Sequence, residues 1–187
     1  DFKMIRISSL LFFLGFLQSQ SYPDFEILHF DNPHSSSLFL HTMSEENRFM
    51  AIIDSGLDVQ WHVRSNYMGL DFKVNQNYLT YYNKIEGSWI LANQMMNEVD
   101  TLMCRGSYVT DYHDIQILEN GNYLLQAYDS SFVDMSIIID GGQSVAWITG
   151  ILVIQMFDIN HELISEWNAW DHLDLSLIHI SEPTRQF

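Results

Sequence analysis

The sequence predicts an all-β chain organised as a partial β-propeller, and three observations lead there. Short runs rich in Ile, Val, Tyr, Phe and Trp alternate with turn residues from Leu38 onward, the pattern of half-buried strands joined by tight connections. No stretch keeps a helical period; the closest, Asn93–Met103, is weakened by its Asn residues and by Val99. A scheme of apolar strand, Asp, polar turn and alternating strand closing on Trp occurs in MAIIDSGLDVQW (Met50–Trp61) and again in IQMFDINHELISEW (Ile154–Trp167). Ile90–Met103 and Ile115–Asp129 are looser copies. Successive hairpins of this kind suggest small sheets arranged radially; a β-sandwich is the architecture that pattern alone leaves as the competitor.

The elements follow in order. Residues 1–21 read as upstream sequence plus a secretion leader: a start at Met4, the positive Arg6, the apolar run Leu10–Leu17, and small residues at Ser19 and Ser21 that place cleavage before Tyr22. The run is too short to span a membrane, and no later segment reaches that length. Residues 22–174 form the β domain. Strands are expected at Leu38–His41, Met50–Asp54, Val59–Val63, Tyr78–Tyr82, Trp89–Asn93, Asp100–Cys104, Ile115–Leu118, Tyr123–Tyr128, Ser136–Ile139, Gly150–Asp158 and Leu163–Trp167. In Glu119–Asn122, Asn-Gly supplies the positive φ angles of a tight hairpin. At four strands per blade, these strands make two to three blades. Residues 175–187 stand apart: LSLIHISEPTR (Leu175–Arg185) matches a translated sequencing-library adapter over its whole length. The expectation is a domain truncated near Asp174.

Composition narrows the function classes. A formal net charge of −16 repels phosphate backbones and argues against a nucleic-acid partner. The single cysteine, Cys104, is either a free thiol or half of a disulfide whose partner lies further along the gene. The eight histidines form no recognisable ligand set, and the acids lack calcium-loop spacing.

Two stretches carry chemistry. In DYHDIQILENGNYLLQAYD (Asp111–Asp129), His113 sits between Asp111 and Asp114 just before a hairpin strand. A flanking carboxylate can fix the tautomer of an imidazole. In EWNAWDHLD (Glu166–Asp174), His172 follows Trp167, Trp170 and Asp171. A structural histidine and core-packing tryptophans are the plain readings of each stretch taken alone. Together, with VIQMFDINHELISEW leading into the second, they resemble the arylsulfotransferase family of secreted six-bladed propellers. In that family a His-Asp pair opens a strand before an Asn-Gly-Asn hairpin, and an apolar strand leads to a Trp-rich segment ending in Asp-His.

The resemblance implies a cofactor-free, nucleotide-independent sulfuryl transfer from a phenolic sulfate ester to a phenol acceptor, through a histidine intermediate. Histidine as covalent nucleophile divides one hard step into two easier ones. By motif, His113 takes the part of a sulfuryl-oxygen-binding histidine, and His172 lies in a substrate-binding segment. The family's later His-Asn-Ser segment, Arg and nucleophilic His have no counterpart in this chain, so the chain alone is expected to be inactive. The competing reading is a non-catalytic secreted propeller that binds partners.

Three other motifs fail on their surroundings. Asp54-Ser55-Gly56 suggests an aspartic protease turn, but no second copy supplies the paired carboxylate. His161–Ser165 lacks the second His of a zinc-protease helix. Gly142–Ala146 lacks the closing Gly of a hydrolase elbow.

Overall fold

A computed structural model describes residues 21–31, 34–44 and 48–173; the expected leader, apart from Ser21, and the expected adapter-derived tail lie outside them. The described chain is all-β, with three antiparallel sheets in succession and none closed into a barrel. The first holds β1 (Leu38–His41), β2 (Phe49–Ile53) and β3 (Val59–Arg64). The second holds β4 (Met68–Asn75), β5 (Tyr78–Asn83), β6 (Ser88–Ala92) and β7 (Glu98–Leu102). The third holds β8 (Val109–Ile117), β9 (Tyr123–Val133), β10 (Ala146–Phe157) and β11 (Leu163–Asn168). Each sheet is a simple up-and-down meander, the arrangement expected of successive propeller blades. Among the described residues, no helix is long and apolar enough to cross a membrane.

Alternation along β6 decides how the sheets stack. Trp89 and Leu91 face a core shared with Ile115, Leu125, Val153 and Phe157 of the third sheet. Ile90 and Ala92 face a second core with Met50 and Phe72, flanked by Trp61 of the first sheet. All five residues of β6 are buried, because successive side chains point to opposite faces and both faces are covered. β5 repeats the division, with Tyr81 in one core and Tyr82 in the other. Across its long axis the third sheet is tied to the preceding loop by buried Gln155. Its side chain accepts from Arg105 N at 2.8 Å and donates to Arg105 O at 3.1 Å and Glu166 Oε2 at 2.6 Å.

The recurring hairpin scheme has a single geometric cause. Asp54–Asp58, Asn93–Asn97, Leu118–Asn122 and Asp158–Glu162 close the same five-residue turn. In each, the first N–H donates to the fifth carbonyl, at 3.0, 2.9, 2.8 and 3.0 Å. The fourth residue is left-handed in every case: Leu57, Met96, Gly121 and His161. Where the first residue is Asp or Asn, its side chain accepts from two turn N–H groups, as Asp158 does from Asn160 and Glu162. These hydrogen bonds hold the exposed Asp158 carboxyl below its usual range.

Three expectations are corrected. Asn120 does not take a positive φ, since this longer turn needs the left-handed conformation only at Gly121; the Asn120 side chain instead accepts from Asn122 N at 3.1 Å. Ser136–Ile139 is not a strand. Met135–Ile137 is a 3₁₀ turn, begun by Asp134 accepting from Ser136 N and folded back onto Gly142, where a Cβ would lie 2.2 Å from Met135 O. β4 is an additional strand. Gly69 (φ 101°) and Asp71 (φ 51°) interrupt its alternation with two bulges, which hides the strand from a period-two reading.

Cys104, the single cysteine of the chain, is buried. Burial pushes the thiol up to about 11, opposed by a hydrogen bond with Thr110 and reinforced by the charges of Glu166 and Asp111. The folded state therefore disfavours the thiolate. Its contribution to stability is complete below the unfolded thiol's value, near 9, and is lost as pH rises through about 11. The native thiol is expected to resist Ellman's reagent at pH 8 and to react fully once denatured; prompt native reaction would contradict its burial. A second expectation concerns Gly69 and Gly141, both at positive φ. A Cβ at Gly69 would lie 2.4 Å from Met50 Cγ, and one at Gly141 meets nothing within 4 Å. Gly69→Ala should thus lower the urea midpoint more than Gly141→Ala, by roughly 1–3 kcal/mol of overpacking; equal midpoints would mean that β4 does not press on β2 there.

Candidate functional site

The first strands of the sheets are neighbours: β4 touches both β1 and β8. β4 and β8 are also the most irregular strands. Between Thr110 and Ile115, β8 spends five steps while its partner β9 spends two, from Ala127 to Leu125. Three extra residues are extruded there, and Asp111, Tyr112, His113 and Asp114 fall within the bulge. A bulge unpairs and re-aims side chains, and this one separates two fates. Asp111 turns inward, its side chain only 2% exposed, while the His113 side chain is 60% exposed.

What holds the bulge is the middle sheet. Trp89 donates its indole N–H to Asp111 O at 2.9 Å, and Tyr82 donates its hydroxyl to Thr110 O at 2.8 Å. Asn75 donates to Ile115 O at 2.8 Å and accepts from Ile117 N at 3.2 Å, replacing pairing that the bulge removes. Lys73, leaving the bulge of β4, lies 2.5 Å from both Asp114 Oδ1 and Asp71 Oδ2. Burial works against the Lys73 charge, but its hydrogen bonds to Asp114 and Asp71 and their charges outweigh it and raise its pKa.

His113 is oriented on two sides. Its Nδ1 lies 2.9 Å from each Asp111 carboxylate oxygen, and its backbone N donates to Asp111 Oδ2 at 3.0 Å. Its ring stacks on Tyr112 with centroids 4.2 Å apart. With Nδ1–H held by the carboxylate, a protonated ring turns Nε2–H outward as a donor to an anion. A neutral ring turns out a lone pair. The arrangement can therefore bind an oxyanion or accept a proton, according to the ring's charge.

His172 is placed differently. It closes α1 (Ala169–His172), which Asn168 caps by accepting from Trp170 N. Its ring stacks flat on Trp167, centroids 5.3 Å apart and 6° from parallel. Trp167 is thus a platform for His172, and Ala169 is the residue that enters the core. One ladder row runs Thr110, Ala127, Val153, Asn168. His113 and His172 accordingly lie toward the same end of the third sheet but at opposite edges, separated by three strand spacings, about 14 Å. No contact joins them among the described residues.

The other sequence motifs are structural. The Asp54 carboxylate accepts from Gly56 N, Asp58 N and Gln60 Nε2 at 2.9, 3.0 and 2.6 Å, which fixes a hairpin turn. His161 occupies the left-handed position of another turn. Among the described residues, no group of three or more His, Cys, Asp or Glu is arranged to hold a metal ion. Lys73, Asp71 and Asn75 are site residues that the sequence reading missed. The residual signal was the Phe72–Lys73–Val74 alternation after Asp71. No protein-family model matches the chain, and no curated protein or solved structure is significantly similar to it.

Removing the buried carboxylate should free His113. Asp111→Ala is expected to cost about 1–3 kcal/mol through lost hydrogen bonds to the ring and the backbone. Asp111→Asn, which keeps an acceptor, should cost less. Denaturant melts compare the two, and ¹⁵N spectra of the His113 ring report whether its fixed tautomer is lost. An unchanged ring spectrum in Asp111→Ala would remove Asp111 as its orienting group.

Proposed function

We propose that this chain belongs to a secreted, arylsulfotransferase-like propeller and supplies part of the surface that binds the sulfuryl group. The observation that carries this reading is the bulge in β8, which presents His113 outward with Nδ1 held by buried Asp111. That is the posture needed to donate Nε2–H to a sulfuryl oxygen, and it occurs at the start of the Asn-Gly-Asn hairpin that carries the sequence resemblance. In the proposed reaction the S–O bond of an aryl sulfate breaks as an S–N bond to a nucleophilic histidine forms. The phenolate leaves and takes up a proton, and a second phenol later receives the sulfuryl group. Within this chain His113 would stabilise the charge spreading over the sulfuryl oxygens, not attack sulfur. His172, stacked on Trp167, would belong to the aromatic rim of the substrate site.

The test uses the full-length gene product with 4-nitrophenyl sulfate as donor and a phenol as acceptor. His113→Ala should lower kcat by about 10²–10³, the usual cost of deleting one preorganised oxyanion donor. His172→Ala should act mainly on KM. Unchanged transfer in His113→Ala would take His113 out of the site. No transfer at all by the folded wild-type protein would favour a non-catalytic binding propeller.

A further inference from the structure

At the other end of the second and third sheets, away from His113, lies a cavity of about 370 Å³. Its floor is the inter-sheet core, with Leu102 and Ile117. Tyr78 and Tyr123 supply aromatic walls, and Asp100 and Glu119 supply carboxylates. Three elements of both sheets meet there in one polar chain. Tyr123, at the start of β9, has its hydroxyl 2.8 Å from His161 Nδ1 in the β10–β11 turn, and His161 Nε2 lies 3.4 Å from Asp100 Oδ2 on β7. The turns themselves are close-packed, since a Cβ on Gly121 would lie 2.7 Å from Ile159 Cγ2.

The lining is negative in character. Burial, and then the charge of Asp100, push the buried Tyr123 phenol up to about 12, with Arg105 opposing and Asp158 adding. Arg105 is held by the His161 carbonyl at 2.8 Å and by Glu162 at 3.3 Å. Asp100 Oδ1 accepts from Thr101 N at 2.7 Å, which fixes the carboxylate on its strand, and 3.4 Å from His161 leaves its other oxygen weakly engaged. A cavity of this volume falls within the range of small-molecule sites, where an apolar body is gripped by a few placed polar groups. Aromatic faces beside carboxylates favour a cation.

We propose that this cavity binds a small organic cation, a protonated amine on an apolar body, with the ammonium at Asp100 and Glu119 and the body between Tyr78 and Tyr123. The site is independent of the sulfuryl chemistry proposed for His113.

The experiment titrates phenethylammonium into the full chain at neutral pH, with phenethyl alcohol and phenylacetate as neutral and anionic probes of similar size. Affinity is read by calorimetry, and position by NMR shifts. The cation should bind at least tenfold more tightly than the alcohol and phenylacetate least. Shifts should concentrate on Tyr78, Tyr123 and His161. The double variant Asp100→Asn, Glu119→Gln should reduce the cation to the affinity of the alcohol, with alcohol binding and circular dichroism retained as proof of folding. His113→Ala should leave all of this unchanged. Equal binding of cation and alcohol, undiminished cation binding in the folded double variant, or shifts spread over the whole acidic surface would each overturn the proposal. If the double variant fails to fold, the comparison of the three probes on the unaltered chain decides it.

Discussion

The hydrogen bond from the Trp89 indole to the Asp111 carbonyl is the constraint on which most of this structure turns. Trp89 is fully buried in the larger of the two cores, and an indole N–H so placed needs a partner. β8 offers one where it leaves its ladder. Its carbonyl is then aimed at the middle sheet and the ladder lost to β9 is made up by Tyr82 and Asn75. A packing requirement in one sheet thereby dictates an irregularity in the next. The irregularity, in turn, is what leaves His113 exposed over a carboxylate that is itself sealed from water. The contact spares the structure an unmet buried donor, which would cost about 1–3 kcal/mol.

The legible part of the fold was the part governed by period two. The strands expected at Trp89–Asn93 and Leu163–Trp167 follow from their strand-forming residues and bounding turns and form as Ser88–Ala92 and Leu163–Asn168, and the hairpin scheme was visible because one turn geometry recurs, with Asp or Asn at three of its four starts. Failure came where backbone conformation departs from that period. Met68–Asn75 is a strand with two positive-φ residues inside it, so its apolar residues fall out of phase. Ser136–Ile139 has strand composition, but Asp134 caps it and two glycines turn it. In the site, the pairing of His113 with Asp111 could be read from adjacency. Lys73 against Asp114 could not, because 41 residues separate them and the strand that brings them together was hidden. For His172, the sequence showed the aromatic company and the structure supplied its geometry, a flat stack on Trp167.

The two ends of the sheets also differ in kind. At one end, extruded backbone exposes a histidine beside paired charges. At the other, compact turns from different hairpins close over an acidic, aromatic cavity. Both depend on the same meander, whose strands are long enough to keep the two apart. Lys73, set between Asp71 and Asp114, ties the bulge of β4 to that of β8.

The middle sheet, covered on both faces, has one more consequence. Its inner hairpin cannot open without uncovering two cores at once, whereas the outlying sheets can loosen one face at a time. Hydrogen exchange from β5 and β6 should therefore track the loss of the whole fold, and the sheet acts as the last cooperative unit to go. An order of disassembly is written into the way five consecutive residues, Ser88–Ala92, are shared between neighbours.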